Sequence, residues 1–161
     1  MLKKLAGALA LAMAVSPIAT AKDTKFKISL TLLNPIEVQE VRSMNFGIVL
    51  GGFDSRVIIS PHSPYAAIFK AKGIPYTNVN GSIVERETWL TREGIKGKAG
   101  KNDKILVNNF SFGGDMRPSG QAYFWHNGKL NNLRIGAQAA VSAENSSGIY
   151  TGTATFRLTY L

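Results

Sequence analysis

The side chains best suited to bind a metal ion or to transfer a proton are few in this sequence. His62 and His126 are the two histidines, and the chain has no cysteine. No HxH or HxxxH spacing joins these histidines, so a metal site built on them would need carboxylates from elsewhere. His62 lies in a turn-like stretch between prolines, and His126 lies beside Asn127-Gly128. The sequence therefore predicts no bound metal ion and no cofactor.

Glu85 and Glu87 are two residues apart, so both would point to one face of a β-strand, as paired glycosidase carboxylates could. Charged neighbours, among them Arg86 and Arg92, favour a solvated charged surface instead. The sequence contains no GxSxG, P-loop or GxGxxG fingerprint. These patterns indicate a protein that is not an enzyme.

The first 21 residues have the three regions of a secretory signal peptide. Residues 3 and 4 are lysines, an apolar run covers residues 5–15, and Ala19-Thr20-Ala21 is a small-x-small cleavage site. The apolar run is too short to remain in a bilayer as a spanning helix. We therefore expect an exported protein that begins at Lys22 after cleavage and has no transmembrane segment.

The mature chain is basic. The whole sequence has 19 lysines and arginines against 10 acidic residues, and two of the lysines belong to the signal peptide. A basic exported protein suits contact with anionic glycans or with a negatively charged neighbour. The aromatic and basic stretch over residues 123–134 could stack on nucleic acid, but export makes that partner unexpected, and we expect its aromatics in the core. Without disulfides, the fold must be stabilised by packing or by a partner.

Short stretches of alternating apolar and polar residues, separated by turn residues, cover the mature chain. The pattern predicts about six to nine strands in one all-β domain, either a sandwich or a barrel. Asn80-Gly81 and Asn127-Gly128 predict hairpin tips, and strands are predicted on both sides of Gly51-Gly52. Residues 92–104, rich in glycine and lysine, are predicted to form a solvated loop.

Alternation is most regular at the two ends of the mature chain. Near the N-terminus, four apolar residues share one face of a predicted strand: Phe26, Ile28, Leu30 and Leu32. At the other end, every second residue from Tyr150 to Tyr160 is apolar or small, which predicts one strand running to the end of the sequence. The apolar face of this strand must be covered, because an exposed apolar strand can pair with strands of other chains and cause aggregation. Residues 22–33 could cover it as a first strand within the chain, or enter a neighbour's groove by β-strand addition.

This last strand contains a penultimate tyrosine, Tyr160, and follows a glycine at the fourteenth position from the end, Gly148. Together they resemble the C-terminal signature of chaperone–usher fimbrial (pilus) subunits. The resemblance implies an immunoglobulin-like β-sandwich that lacks its seventh strand and is completed by a strand donated from the next subunit. It also implies three kinds of partner, namely other pilus subunits, a periplasmic chaperone and an outer-membrane usher.

The resemblance assigns a role to each part of the chain. Residues 1–21 would be the signal peptide, residues 22–33 the donor strand or first strand, and residues 34–161 the pilin-like sandwich. The four apolar residues near the N-terminus would be the donor residues. The acceptor groove and chaperone-binding strand would be formed by Gly148, Tyr150, Phe156, Leu158 and Tyr160. The subunit would cross the periplasm and enter a cell-surface fimbrium that supports adhesion or biofilm formation, by donor-strand exchange.

The layout is also similar to a family of small secreted bacterial β-sandwich proteins of unknown function. The similarity lies in Phe46-Gly47, in the stretch LRIGAQAAV over residues 133–141, and in the Gly-x-Tyr-x-Gly-Thr sequence over residues 148–153. A second interpretation therefore stays open, in which the protein is an exported monomeric β-sandwich that binds a glycan or a protein at the cell surface. Self-association separates the two, because a pilin polymerises and a binding module remains a monomer.

Overall fold

The structure is a computed structural model that describes residues 27–161. The predicted signal peptide, residues 1–21, and the predicted donor residue Phe26 lie outside the described residues. Residues 32–161 form one compact unit, and residues 27–31 belong to a separate unit. The fold below is that of residues 32–161.

This part of the chain is all-β, as the alternating pattern predicts. The only helical element among the described residues is one turn of 3₁₀ helix at Lys101–Asp103. The strands, in chain order, are β1 (Glu37–Arg42), β2 (Ser55–Ile59), β3 (Ala67–Lys72), β4 (Asn78–Ile83), β5 (Thr88–Arg92), β6 (Lys104–Gly114), β7 (Gln121–Tyr123), β8 (Lys129–Val141), β9 (Tyr150–Thr151) and β10 (Phe156–Tyr160).

Seven of the strands form one antiparallel sheet around β8. The order along the sheet is β1-β3-β8-β6-β5-β9, and β2 pairs with β8 as well. β8 can hold two neighbours on one side because it is 13 residues long. Its first half pairs with β3, with Ala67 opposite Ile135, and its second half pairs with β2, with Ile59 opposite Ala137.

The other three strands form a smaller antiparallel sheet in the order β10-β4-β7. The prediction of a hairpin at Asn80-Gly81 is wrong, because both residues lie inside β4. Gly81 serves packing rather than a turn: a Cβ atom there would lie 2.8 Å from the sulfur of Met116 and 2.9 Å from the ring of Phe156. Asn127-Gly128 does form a turn, but it connects strands of different sheets and not a hairpin.

The predicted last strand is divided in two. β9 pairs with β5 in the seven-stranded sheet, whereas β10 pairs with β4 in the three-stranded sheet. The chain leaves the first sheet at Gly152, where a Cβ atom would lie 2.6 Å from the carbonyl oxygen of Trp89. It is held at the start of the second sheet by Thr155, whose N–H donates to the Glu85 carboxylate at 2.7 Å. The alternating pattern continues through the crossing, so it could not reveal the break.

The core consists of two clusters. The first joins both sheets, with Leu133 and Ile135 of β8 against Val79 of β4 and Leu158 of β10. The second is built from β6 and β8 alone and comprises Ile105, Val107, Ala137 and Ala139. The three-stranded sheet therefore covers the first cluster and contributes no residue to the second.

The stretch from Met44 to Phe53 forms no strand, contrary to the sequence-based prediction. Met44 and Phe46 pack against the core clusters. Most of the residues that follow are exposed, Ile48 fully so, whereas Val49 is half-buried. The backbone of this stretch is held by the bond from the N–H of Asn45 to the carbonyl of Tyr65 at 3.0 Å. An irregular segment therefore lies where the sequence pattern predicts a strand.

Candidate functional site

An apolar groove of about 800 Å³ lies beside the second core cluster. Side chains from the seven-stranded sheet line it, including Leu90, Ile105, Val107 and Ala139. Two further segments line it as well: the irregular stretch at residues 43–51, and residues 145–154, which include β9. The groove exists because the three-stranded sheet leaves this part of the larger sheet uncovered.

The three-stranded sheet reaches the groove through Ile83 and Phe156, which also line it. Phe156 begins β10 and packs on the first core cluster, with its ring centroid 5.1 Å from that of Phe69 and 6.4 Å from that of Phe112. β10 therefore starts at the groove and runs away from it along the first cluster.

One edge of β10 is open. β10 pairs with β4, and no strand among residues 27–161 pairs with its other edge. The N–H of Leu161 donates to Asn78 and the carbonyl of Thr155 accepts from Val84, so the odd-numbered residues of this stretch direct their backbone groups toward β4. Because backbone direction alternates along an antiparallel strand, the N–H groups of the even-numbered residues point to the open edge. These are Phe156, Leu158 and Tyr160.

The side chains of the same three residues face the core. Leu158 is buried in the first cluster, and Phe156 and Tyr160 pack against that cluster. Arg157 and Thr159, between them, are exposed. Within the described residues, β10 is thus an edge strand with one apolar face on the core and one unpaired backbone edge.

The Tyr160 hydroxyl bonds to two distant segments. It accepts the N–H of Ile74 at 3.0 Å and donates to the carbonyl of Asn34 at 3.2 Å. Its ring lies 6.4 Å from that of Phe124, which is fully buried. The penultimate tyrosine therefore fixes the end of β10 against the β3–β4 connection and the segment that precedes β1.

Gly148 and Tyr150 lie in the groove lining, but with the seven-stranded sheet and not with β10. The Tyr150 hydroxyl lies 2.6 Å from the carbonyl oxygen of Ser146 and 3.1 Å from that of Asn102, and burial raises the pKa of Tyr150. A Cβ atom on Gly148 would lie 2.8 Å from the Arg92 side chain. Arg92 in turn donates to Asp103 at 2.8 Å and lowers the pKa of that carboxyl.

The structure thus separates the five predicted groove residues into two groups. Gly148, Tyr150 and Phe156 line the groove, whereas Leu158 and Tyr160 lie outside the lining. Sequence reasoning missed the other lining residues, among them Met44 and Phe46. Phe46-Gly47 was noted in the sequence as part of a family similarity, but the apolar run around it predicted a strand and not a groove lining.

The predicted donor residues are exposed where the structure describes them. Ile28, Leu30 and Leu32 have 80%, 90% and 91% of their surface accessible to solvent. Residues 27–33 belong to no strand. Among the described residues, these three apolar side chains at period two are therefore exposed and lie outside any strand.

The candidate chemical residues do not converge in residues 27–161. Within this range no group of three or more histidines and carboxylates is arranged to hold a metal ion. Both histidines are exposed. The Glu85 carboxylate binds the N–H and hydroxyl of Thr155, at 2.7 and 2.8 Å, and these hydrogen bonds lower its pKa. No helix in the described part of the chain has the length and apolarity needed to cross a membrane.

Comparison with known proteins gave no relative for this chain. No family model matches it, and neither a curated protein nor a solved structure matches it.

Proposed function

We propose that this protein is a structural subunit of a fimbrium and that it polymerises by donor-strand exchange. Residues 22–33 of one subunit would enter the groove of the next and pair with the open edge of β10. The observation that carries this proposal is the apolar groove of about 800 Å³ at the start of an edge strand, β10, whose outer backbone groups pair with no strand among residues 27–161.

The strand order supports an immunoglobulin-like sandwich that is incomplete. In that fold, strands A, B, E and D form one sheet in the order A-B-E-D, and strands C, F and G form the other. Here β1-β3-β8-β6 corresponds to A-B-E-D, and β4-β10 corresponds to C-F. These six strands also follow one another along the chain in the order A to F. Strand G would lie beside β10, a place that no strand among residues 27–161 occupies.

The donor segment, which is exposed at Ile28, Leu30 and Leu32, has the apolar side chains that the groove requires. Burying an aliphatic or aromatic side chain contributes about 1.5–3 kcal/mol, so the four donor residues would supply roughly 6–12 kcal/mol before ordering costs. Backbone hydrogen bonds to β10 would add to this energy. A shift of the donor strand by one residue would turn its apolar face to water. The energetic cost of that exposure favours a single register.

Donation from one subunit to the next is a head-to-tail contact that does not close on itself, so it builds a filament. Before assembly the groove would need a temporary occupant, which is the role we assign to a periplasmic chaperone, with an outer-membrane usher as the assembly site. The filament would then lie at the cell surface and support adhesion or biofilm formation.

The test is polymerisation after deletion of residues 22–32. The intact protein should give a ladder of multimers that resists detergent until it is heated, and the deletion variant should not. Ile28→Asp and Leu30→Asp should behave like the deletion, because each places a charge in an apolar groove. Lys27→Asp and Ser29→Asp, on the other face, are the matched controls and should polymerise normally. A ladder from the deletion variant, or a monomeric intact protein at high concentration, would overturn the proposal.

A further inference from the structure

A second cleft, of about 600 Å³, lies at the three-stranded sheet. It is lined by β7, by the turn after β7, by the first residues of β8 and by the loop that follows β6. It presents several side-chain amides, among them Asn78, Gln121, Asn131 and Asn132. An amide group offers both donors and an acceptor, so a row of amides suits a ligand that carries many hydroxyl groups.

Trp125 is an exposed aromatic residue in this cleft. Its surface is 64% accessible, although Phe124 next to it is fully buried. The ring meets Tyr123 edge to face, with centroids 5.3 Å apart and planes at 89°. This contact holds the indole at the cleft while leaving most of it uncovered. A large aromatic surface among amides suits a ligand with an apolar face and a polar rim.

The backbones of the residues that carry these amides are held by hydrogen bonds, so the amides do not lie on a free loop. The Asp115 carboxylate accepts the N–H groups of Asn131 and Asn132, both at 2.8 Å, and so ties the loop after β6 to β8. Asn78 lies opposite Tyr123 in the ladder between β4 and β7. A site whose groups are already in place loses less entropy on binding.

We propose that this cleft binds a saccharide. A pyranose ring has a face of C–H groups that can lie on an indole and a rim of hydroxyl groups that can bond to amides. The inference does not depend on the proposed function, because a monomer could use the cleft equally well. It is also compatible with a filament: β7 and β10 lie on opposite sides of β4, so the cleft is away from the open edge.

The chain provides its own control, because it has two tryptophans. Trp89 lies on β5, outside the cleft lining, and is 51% exposed. The mature protein should be tested against an array of immobilised neutral, amino and acidic oligosaccharides, and hits confirmed by titration. Trp125→Ala should weaken binding by about tenfold or more, as expected for an aromatic anchor. Trp89→Ala should bind like the unaltered protein.

Circular dichroism and thermal unfolding of both variants would show that the substitutions leave the fold intact. Asn131→Ala provides a second test of the cleft, and it should also weaken binding. Failure of the unaltered protein to bind any saccharide class on the array would overturn the inference. So would binding that Trp125→Ala and Trp89→Ala reduce equally, because the saccharide would then lie elsewhere.

Discussion

Glu85 shows how a residue that suggests catalysis can serve structure instead. Glu85 and Glu87 would share one face of a predicted strand, yet the chain leaves β4 at Ile83 and neither glutamate is in a strand. The Glu85 carboxylate accepts hydrogen bonds from the N–H and the hydroxyl of Thr155. It thereby fixes the point at which the chain enters β10. Propensity and spacing could not reveal this contact, because the two residues are 70 positions apart.

Glu85→Gln should change the pH dependence of stability. Hydrogen bonds from Thr155 lower the pKa of Glu85 in the folded protein. The stabilisation is therefore present above the unfolded pKa and is lost as the pH falls through the folded pKa, so the loss should occur below about pH 5. The free energy of unfolding, measured by urea denaturation at several pH values, should fall less steeply on acidification in the variant.

Glu87→Gln is the matched control, because Glu87 is exposed and makes no hydrogen bond or ion pair in the described part of the chain. Its pH profile should follow that of the unaltered protein. If Glu85→Gln gives that same profile, the Thr155 contact contributes nothing to acid stability.

At the scale of elements, local periodicity predicted most of the strands, although not the absence of one over residues 44–53, and it did not predict how the strands pair. The alternation in residues 156–160 gives the face of β10 that packs on the core. It does not show that β9 and β10 belong to different sheets, because the crossing depends on close approaches at Gly152 and Thr155. The hairpin prediction at Asn80-Gly81 failed for a similar reason. The sequence alone cannot distinguish a glycine that close packing requires from a glycine that a turn requires.

Leu158→Ala should destabilise the protein far more than Thr159→Ala. Leu158 is buried among side chains of both sheets, whereas Thr159 is exposed on the opposite face of the same strand. Truncating a buried leucine costs about 2–5 kcal/mol, and a surface substitution usually changes stability by about 0.5 kcal/mol or less. Denaturant unfolding of the two purified variants measures both changes in the free energy of unfolding. Equal losses would mean that the face of β10 has been assigned wrongly.

At the scale of the whole molecule, the division of the core into two clusters determines where the apolar groove lies. The three-stranded sheet contributes to the first cluster and not to the second, so a groove remains over the second. The sequence indicated that a dry strand face at the C-terminal end needed cover. It could not show that β10 already packs on the core and that the unsatisfied feature is its backbone edge, because sheet order depends on contacts far apart in the chain.

The most direct test of strand donation is amide hydrogen exchange along β10. A peptide of residues 22–33 would be added to the protein that lacks residues 22–32, and exchange followed residue by residue by NMR. The N–H groups of Phe156, Leu158 and Tyr160 point to the open edge and should exchange much more slowly once the peptide binds. Those of Arg157, Thr159 and Leu161 already bond to β4 and should change little. Unchanged exchange at the three even-numbered residues in the presence of saturating peptide would contradict donor-strand pairing at β10.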